Sequence, residues 1–355
     1  MESIFDKVQQ MGHEQVVFCH DARSGLNAII AIHNTTLGPA LGGTRLWSYE
    51  SNEDALIDAL RLSRGMTYKN AISGLNIGGG KAVIIANPSM KSEALWRRYG
   101  RFVNSLNGKY ITAEDVNTNT SDMEYIAMET SSVTGVPEYS GGSGDPSPFT
   151  AKGVYVGMKA AAKKVYGNDS LSGKKVLVQG AGHVGQYLIG HLVNEGAKVM
   201  VSDIDQNKLK SAKDKYPAIE IVDNAGIFDL DIDIYAPCAL GATLNDASIA
   251  AMKCAIVAGA ANNQLADENV HGPALVKKGI VYAPDFLINA GGVINVSAEL
   301  DGYNIGKVNS AVEKIYDRTL DIFALAEAEN IHNQAAAMRI AQKRIDDIAA
   351  LKSRM

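Results

Sequence analysis

The sequence has few cysteines, and the three that it has are scattered. Cys19, Cys238 and Cys254 are far apart in a chain of 355 residues. They form neither the close spacing of a metal site nor the even set of a disulfide framework. We therefore expect a protein of the reducing cytoplasm that binds no metal ion.

Basic clusters and long apolar segments are also missing. The formal net charge is -5, and no stripe of lysine and arginine could follow a nucleic-acid backbone, so we expect no nucleic-acid partner. No apolar run approaches the length that spans a membrane. The first residues lack the basic and then apolar pattern of a signal peptide. These absences favour a cytoplasmic protein with no membrane partner.

What is present is the composition of a globular protein that is long enough for two domains. Hydrophobic residues make up 46% of the chain and charged residues 21%, which is typical of a folded protein. The clearest break is the stretch from Ser140 to Pro148, rich in glycine, serine and proline, which predicts a linker or hinge. We predict a first domain over residues 1–140, a second over 141–331, and a C-terminal helix over 332–355 that packs back on the first.

Patterns in the first half predict a mixed α/β domain. Two apolar runs joined by a short glycine-containing loop predict a hairpin, and helical spacing follows. Asp115 comes directly after a short predicted strand, at the end of the strand where α/β sheets place ligands. The predicted elements are strands over 15–20, 26–33, 82–86 and 109–112, helices over 52–69 and 92–106, and a capping box over 121–124 that begins a further helix.

The stretch from Gly65 to Ile85 carries two lysines, Lys69 and Lys81, on either side of a predicted glycine-rich turn. A phosphate-binding loop would need a glycine at position 75 and a hydroxyl at position 82, where the chain has leucine and alanine, so that motif is excluded. Two interpretations remain. The stretch is an ordinary tight turn with surface lysines, or the glycines let the backbone approach a ligand.

The second half alternates strands with helices, which predicts a parallel sheet with crossover helices. The sequence Gly-x-Gly-x-x-Gly at residues 180–185 follows one of these strands and begins a helix, as a dinucleotide-binding turn requires. Asp203 ends the next strand, where an acid binds the adenosine ribose, and no arginine follows it to hold the extra phosphate of NADP. We predict NAD as the cofactor and hydride transfer as the default chemistry.

Several further motifs extend the pattern over nearly the whole chain. They resemble the Glu/Leu/Phe/Val amino-acid dehydrogenase family, with its leucine dehydrogenase branch the most similar. The Gly-x-Gly-x-x-Gly sequence at residues 180–185, called the fingerprint below, is one of the matching segments. The others are Leu37–Arg45, Gly65–Asn70, Gly78–Lys81, Thr112–Asp115, Ala236–Gly241, Asn262–Gln264 and Asn289–Asn295.

The resemblance implies an α/β protein of two domains, an N-terminal substrate and oligomerisation domain and a Rossmann NAD-binding domain, separated by a cleft. It implies reversible oxidative deamination of an L-amino acid to its 2-oxo acid and ammonia, in a homo-oligomer, commonly an octamer. Lys81 would be the general acid/base and Asp115 would exchange protons with the substrate nitrogen. Lys69 would bind the substrate carboxylate with help from Gly42 or Gly43 and from Asn263. The implied cofactor contacts are Gly180, Ala181, Gly182, His183, Val184, Gly185, Asp203, Thr150, Ala239 and Asn262.

Substrate choice is implied by an apolar pocket. Its positions carry no cation that would meet a side-chain carboxylate, so the resemblance favours leucine, valine or isoleucine over glutamate, with phenylalanine or tryptophan as the alternative. Each position is also compatible with an ordinary core residue. The pocket positions are Leu41, Met66, Ala113, Val293 and Val296.

Two other classes of function are weaker. A protein that binds NAD without catalysis would need the fingerprint but neither lysine nor Asp115. An oxidoreductase acting on hydroxy acids would be expected to place a histidine in its catalytic centre. None of the seven histidines lies in a glycine-rich substrate motif, so amino-acid oxidation remains the favoured hypothesis.

Overall fold

The computed structural model describes residues 3–352, which form two compact units. The first contains the chain up to Pro146, residues 295–304, and the chain from Ala341 onward; the second contains Ser147–Ile294 and Ile305–Ile340. The change of unit falls at 146/147, where 140/141 was predicted, and the segment 295–304 belongs to the first unit. The last residues of the predicted C-terminal helix, 353–355, lie outside the described part of the chain.

The first unit is built on a five-stranded sheet with the order β1-β2-β4-β3-β5. The predicted hairpin is confirmed, since β1 and β2 pair antiparallel. β2 also pairs antiparallel with β4, whereas β3 lies parallel to both β4 and β5. The strands are β1 (Gln15–Asp21), β2 (Leu26–Asn34), β3 (Ala40–Trp47), β4 (Gly78–Ile85) and β5 (Tyr110–Glu114).

Helices cover both faces of this sheet, because each face presents a separate set of apolar side chains. The helices are α1 (Ile4–Gln10), α2 (Asn52–Ile72), α3 (Glu93–Asn104) and α4 (Thr120–Ala127). Helix α2 packs on β2 and β4 through a small core that includes Leu56, Leu60 and Val83. Helices α3 and α4 pack on the other face through a larger core around Trp96 and Tyr99.

Two local predictions in this unit were wrong. Gly78, Gly79 and Gly80 are not a turn but the first residues of β4. The capping box of α4 lies two residues earlier than predicted, because the Asn119 side chain accepts from the Asp122 amide and the Asp122 side chain accepts in return.

The second unit is built on a six-stranded sheet with the order β11-β10-β9-β6-β7-β8. All of its pairings are parallel, which confirms the predicted parallel sheet. The order reverses between β6 and β9, which is where such sheets bind nucleotides. The strands are β6 (Lys175–Gln179), β7 (Lys198–Ser202), β8 (Glu220–Ile221), β9 (Ile234–Pro237), β10 (Ile256–Val257) and β11 (Val281–Tyr282).

The helices of the second half alternate with these strands and then form a helical C-terminal region. Helix α5 begins at Ser147, earlier than the predicted Ala151, because a proline at position 148 is tolerated in the first turn. The predicted break near residue 330 is confirmed by Asn330, whose φ of 54° ends a helix. The helices are α5 (Ser147–Tyr166), α6 (His183–Asn194), α7 (Gln206–Lys215), α8 (Asp246–Ala251), α9 (Glu268–Lys278), α10 (Asp285–Ile288), α11 (Gly291–Ser297), α12 (Ile305–Glu313), α13 (Ile315–Glu329) and α14 (Asn333–Lys352).

The second half of α14 is hydrogen-bonded to the end of α2 in the first unit. The Arg344 guanidinium donates to the carbonyl oxygens of Ala71 and Leu75 at 3.0 and 2.7 Å. A cation is favourable there because the last carbonyl groups of a helix have no partner within it. Between residues 3 and 352, no helix is long and apolar enough to cross a membrane.

Candidate active site

The lysine at the centre of the first unit is a strand residue with its side chain buried. Lys81 lies in the middle of β4 and is only 4% exposed. Its ammonium lies 2.8 Å from Oδ1 of Asp115, the residue that follows β5. The structure therefore brings together the two residues predicted to be catalytic, although they are separated by a further strand in the sheet.

Asp115 is held ionised by the cations around it. Burial alone would raise the pKa of this carboxyl group, but the charges of Lys81 and Arg45 outweigh that effect and lower its pKa to about 2. The backbone amide of Asp115 donates to the Thr118 hydroxyl at 2.7 Å, which fixes the turn between β5 and α4. At neutral pH this carboxylate can accept hydrogen bonds and has no proton of its own to donate.

Arg45 is a site residue that the sequence reasoning missed. Its Nε donates to Oδ2 of Asp115 at 3.0 Å and its Nη1 donates to Asp58 of α2 at 2.9 Å. Asp58 also accepts from the hydroxyl of Tyr49 at 2.5 Å. A signal for it was present, since Arg45 is a charged residue at the end of a glycine-rich motif that continues into an apolar strand.

The glycines of the two central strands are required by protein packing. A methyl group added at Gly42 would lie 1.6 Å from the carbonyl oxygen of Gly80, and one at Gly79 would lie 2.1 Å from the Thr67 hydroxyl of α2. A methyl group at Gly43 would lie 2.3 Å from the carbonyl oxygen of Glu114 and 2.9 Å from Cβ of Asp115. Only residues without a side chain allow β3, β4 and α2 to approach this closely. These contacts explain the glycines of β4 through protein packing, and the prediction that they bring the backbone against a ligand stays a prediction.

The predicted substrate contacts lie on several elements of both units. Leu41 and Ala113 are buried on the neighbouring strands β3 and β5. Met66 and Lys69 are partly buried and lie three residues apart on α2, so they are on one side of that helix. Val296 is also buried in the first unit. Val293 and Asn263 belong to the second unit.

The glycine fingerprint of the second unit has the geometry that a dinucleotide turn requires. Gly180 has a φ of 110°, which favours glycine, and Gly182 is the N-cap of α6 with open space beside its Cα. A methyl group at Gly185 would lie 2.0 Å from the carbonyl oxygen of Gly180, so helix and strand are in close contact. Ala181 is buried, Val184 is partly buried and His183 is exposed. This turn leaves room for a pyrophosphate at a helix N-terminus.

Asp203 is positioned beside the fingerprint by backbone amides. Its Oδ2 accepts from the amide of Ala181 at 2.7 Å, and its Oδ1 accepts from the amide of Asp205 at 2.9 Å. These bonds orient the carboxylate at the end of β7, next to the exposed Ile204. The sequence indicated this residue through its spacing along the chain from the glycines of the fingerprint.

The remaining predicted cofactor residues also lie in the second unit. Ala239 follows β9 and is exposed, and Thr150 is in the first turn of α5. The side-chain oxygen of Asn262 accepts from Asn289 at 2.8 Å. Asn263 has a φ of 52°, an unusual value that marks a constrained turn. Within residues 3–352, no group of three His, Cys, Asp or Glu side chains could hold a metal ion.

The family of the chain follows from comparison with known proteins. Residues 13–132 match the Glu/Leu/Phe/Val dehydrogenase dimerisation domain, and residues 141–352 match the Glutamate/Leucine/Phenylalanine/Valine dehydrogenase domain. These matches, the parallel sheet and the glycine turn define a dehydrogenase that uses a nicotinamide cofactor. The chain belongs to the Glu/Leu/Phe/Val dehydrogenase family and is an amino-acid dehydrogenase, an oxidoreductase acting on the CH–NH2 group.

Individual relatives match over almost the whole chain. The leucine dehydrogenase of Thermoactinomyces intermedius is 55% identical over 351 residues, which cover 99% of this chain and 95% of that protein. An L-tryptophan dehydrogenase of Nostoc punctiforme is 50% identical and covers 99% and 98% of the two chains. The crystal structure of L-tryptophan dehydrogenase from Nostoc punctiforme aligns with a TM-score of 0.85 at 47% identity, covering 98% of this chain and 100% of that one.

Proposed function

We propose that the protein catalyses the NAD-dependent, reversible oxidative deamination of a branched aliphatic L-amino acid, with leucine preferred. The observation that carries this proposal is the buried Lys81 ammonium, 2.8 Å from the Asp115 carboxylate. NAD supplies the acceptor for the hydride that leaves the α-carbon. The product of that transfer is a substrate iminium, which water attacks once a base removes a proton from the water. Lys81 is the proposed base, and later the acid.

The other proposed roles follow from charge and position. Lys69 binds the substrate carboxylate, with the backbone of Gly42 or Gly43 and the amide side chain of Asn263 as further partners. Asp115 exchanges protons with the substrate nitrogen. The fingerprint from Gly180 to Gly185 holds the pyrophosphate, Thr150, Ala239 and Asn262 border the cofactor, and Asp203 binds the adenosine ribose. The acid at 203 and the absence of arginine at 204–206 favour NAD over NADP.

A leucine preference rests on the apolar character of Leu41, Met66, Ala113, Val293 and Val296 and on the relatives named leucine dehydrogenase. The second candidate is an aromatic substrate, because relatives named L-tryptophan dehydrogenase match almost as well. An apolar pocket separates substrates that differ by one methylene group by only about 1–3 kcal/mol. The assembly is proposed to be a homo-oligomer, with an octamer as its expected form, and a cytoplasmic location remains a prediction.

The experiment that tests this function combines a substrate panel with one substitution. Reduction of NAD is measured with L-leucine, L-isoleucine, L-valine, L-phenylalanine, L-tryptophan and L-glutamate, and kcat/KM is expected to be highest for leucine. Lys81→Ala is expected to bind NADH normally and to lose about 10²- to 10⁴-fold in deamination rate, the usual contribution of a general acid/base. The exposed Lys109 serves as the control through Lys109→Ala.

Two outcomes would contradict the proposal in different ways. Near-normal turnover in Lys81→Ala would remove the lysine from the mechanism. A clear preference for tryptophan or phenylalanine would keep the reaction and replace the substrate.

A further inference from the structure

The two oxygens of the Asp115 carboxylate are shared between two cations. Oδ1 lies 2.8 Å from the Lys81 ammonium, and Oδ2 accepts from Nε of Arg45 at 3.0 Å. Arg45 is itself anchored, because its Nη1 donates to Asp58 of α2 at 2.9 Å. The result is a row of alternating charges that runs from β4 through β5 and β3 to α2.

An arginine is suited to the centre of this row. Its planar guanidinium stays charged and can donate from separate nitrogens to two carboxylates, which the single ammonium of a lysine does less well. Burial alone would lower the pKa of Arg45, but Asp115 and Asp58 raise it. Tyr49 donates to Asp58, and burial followed by this hydrogen bond raises the pKa of Tyr49, so it stays a neutral donor.

The charge of Arg45 bears directly on the proton of Lys81. A carboxylate beside a lysine favours the ammonium form, whereas removal of a proton from water requires the neutral amine. The groups that surround Lys81 in the row carry charges of −1 for Asp115, +1 for Arg45 and −1 for Asp58. The charges of these three groups sum to −1. The sum would be −2 without Arg45 and 0 without Asp58.

We propose that Arg45 is a positioning residue for the reaction, which orients Asp115 and offsets its negative charge so that Lys81 can release its proton. Asp58 and Tyr49 hold Arg45 in place. The inference rests on the proposed roles of Lys81 and Asp115. It assigns a function to a side chain that touches neither the reacting atoms nor the cofactor in the mechanism given above.

Other titratable groups also face this carboxylate. Glu114 and Tyr110 of β5 interact with it through their charge or potential charge. The titratable and charged groups around Asp115, from every element packed against it, are Lys81 of β4, Arg45 of β3, Tyr49 after β3, Asp58 of α2, and Tyr110 and Glu114 of β5.

The test is the pH profile of kcat/KM for deamination of L-leucine with saturating NAD. On the acidic side of the profile, kcat/KM rises with pH because Lys81, the proposed base, loses its proton. The pH at which this acidic limb rises therefore depends on the charges around Lys81. In Arg45→Met the limb is expected to move to higher pH by about one unit, and in Asp58→Asn to lower pH by about half a unit, as expected for a unit charge several ångströms away. Tyr49→Phe changes no charge and is expected to leave the limb in place.

Two further variants complete the design. Arg45→Lys keeps the charge and is expected to keep the limb near its wild-type position with a lower kcat. Arg61→Met removes the same charge from an exposed site on α2 and is expected to leave the acidic limb of the pH profile in place. If Arg45→Met does not fold, Asp58→Asn still tests the direction of the shift, and Arg45→Lys tests whether the charge at position 45 holds the limb in place.

An Arg45 that acts only as a structural support would lower kcat/KM without moving the limb, and Asp58→Asn would then show no shift to lower pH. Either result, in an enzyme that still loses its activity in Lys81→Ala, would overturn the inference alone. Retained activity in Lys81→Ala would overturn the proposed roles and the inference together.

Discussion

Glu114 is a residue whose ionised form is unfavourable, and it lies next to Asp115, the proposed proton-exchanging group. It precedes Asp115 at the end of β5. Burial and then the negative charges of Asp145, Asp115, Asp122 and Glu299 raise its pKa from 4.5 to about 7. Since the folded-state pKa is above the unfolded value, the neutral acid favours folding, and its contribution to stability is lost as the pH rises through 7.

We expect Glu114→Gln to be more stable than the wild-type protein at pH 8 but not at pH 4.5. The glutamine avoids the cost of an ionised carboxyl group, on the order of 1–2 kcal/mol once partial exposure is allowed for. Thermal denaturation midpoints at the two pH values measure the difference. Glu50→Gln, at an exposed position, is the control. Equal differences at both pH values would contradict the expectation.

At the scale of single residues, the sequence predicted the candidate reacting groups but not their partners. Lys81 and Asp115 were found because their motifs match a family. Arg45, Asp58 and Tyr49 come from different elements, and their contacts depend on how β3 lies beside α2. No spacing in the sequence records such a contact, since it is set by the packing of the sheet.

The helices and strands were predictable where the apolar residues follow a single spacing, either helical or alternating. The hairpin, α2 and the alternating second half follow from apolar spacing. The glycine run was misread as a turn because glycine is common in turns. Here it lies in a strand because the neighbouring strands and α2 approach to distances that exclude a side chain.

Three elements of the first unit meet at a pair of histidines, of which His33 is buried and His13 is partly buried. His33 of β2 bonds to the Thr67 hydroxyl of α2 at 2.8 Å and to the carbonyl oxygen of Met11, after α1, at 3.1 Å. The His13 ring lies edge-on to the His33 ring with centroids 4.8 Å apart and bonds to the Ser63 hydroxyl at 2.8 Å. Burial is the main cause that lowers the pKa of each histidine from 6.5 to about 4.

This pair makes the junction of α1, β2 and α2 sensitive to acid. The folded-state pKa is below the unfolded value, so the stability is present above pH 6.5 and is lost as the pH falls toward 4. We expect His33→Gln to lose less stability than the wild-type protein between pH 7.5 and pH 4.5, by on the order of 1–2 kcal/mol. The change of the denaturation midpoint with pH measures this, and the exposed His20 gives the control His20→Gln. An unchanged pH dependence in His33→Gln would refute the role of the pair.

At the scale of the whole molecule, the chain passes between the two units four times, near residues 146, 294, 304 and 340. The segment from 140 to 148 was predicted as a linker or hinge between domains, and Gly142 and Ser143 within it are buried. The sequence could not indicate this, because the group that holds the segment comes from far along the chain. Glu299 lies in a short 3-10 helix over Ala298–Asp301.

The Glu299 carboxylate connects two chain segments of the first unit, the one before Ser147 and the one around residue 300. Its Oε1 accepts from the amides of Gly135 at 3.0 Å and Ser143 at 2.8 Å, and from the Ser143 hydroxyl. Hydrogen bonds to a charged acceptor each stabilise a fold by about 1.5–3 kcal/mol. The carboxylate therefore orders the segments before Ser147 and around residue 300 at once.

We expect Glu299→Ala to release both segments, because two amides and a hydroxyl lose their acceptor together. Amide hydrogen exchange at Gly135 and Ser143 should become faster and the thermal denaturation midpoint should fall, while exchange in the second unit's β6 should stay slow. Glu299→Gln keeps one acceptor oxygen and should lie between Glu299→Ala and the wild-type protein. Asp301→Ala, at an exposed position in the same short helix, is the control. Exchange at Gly135 and Ser143 that is the same in Glu299→Ala as in Asp301→Ala would show that the carboxylate does not hold these segments.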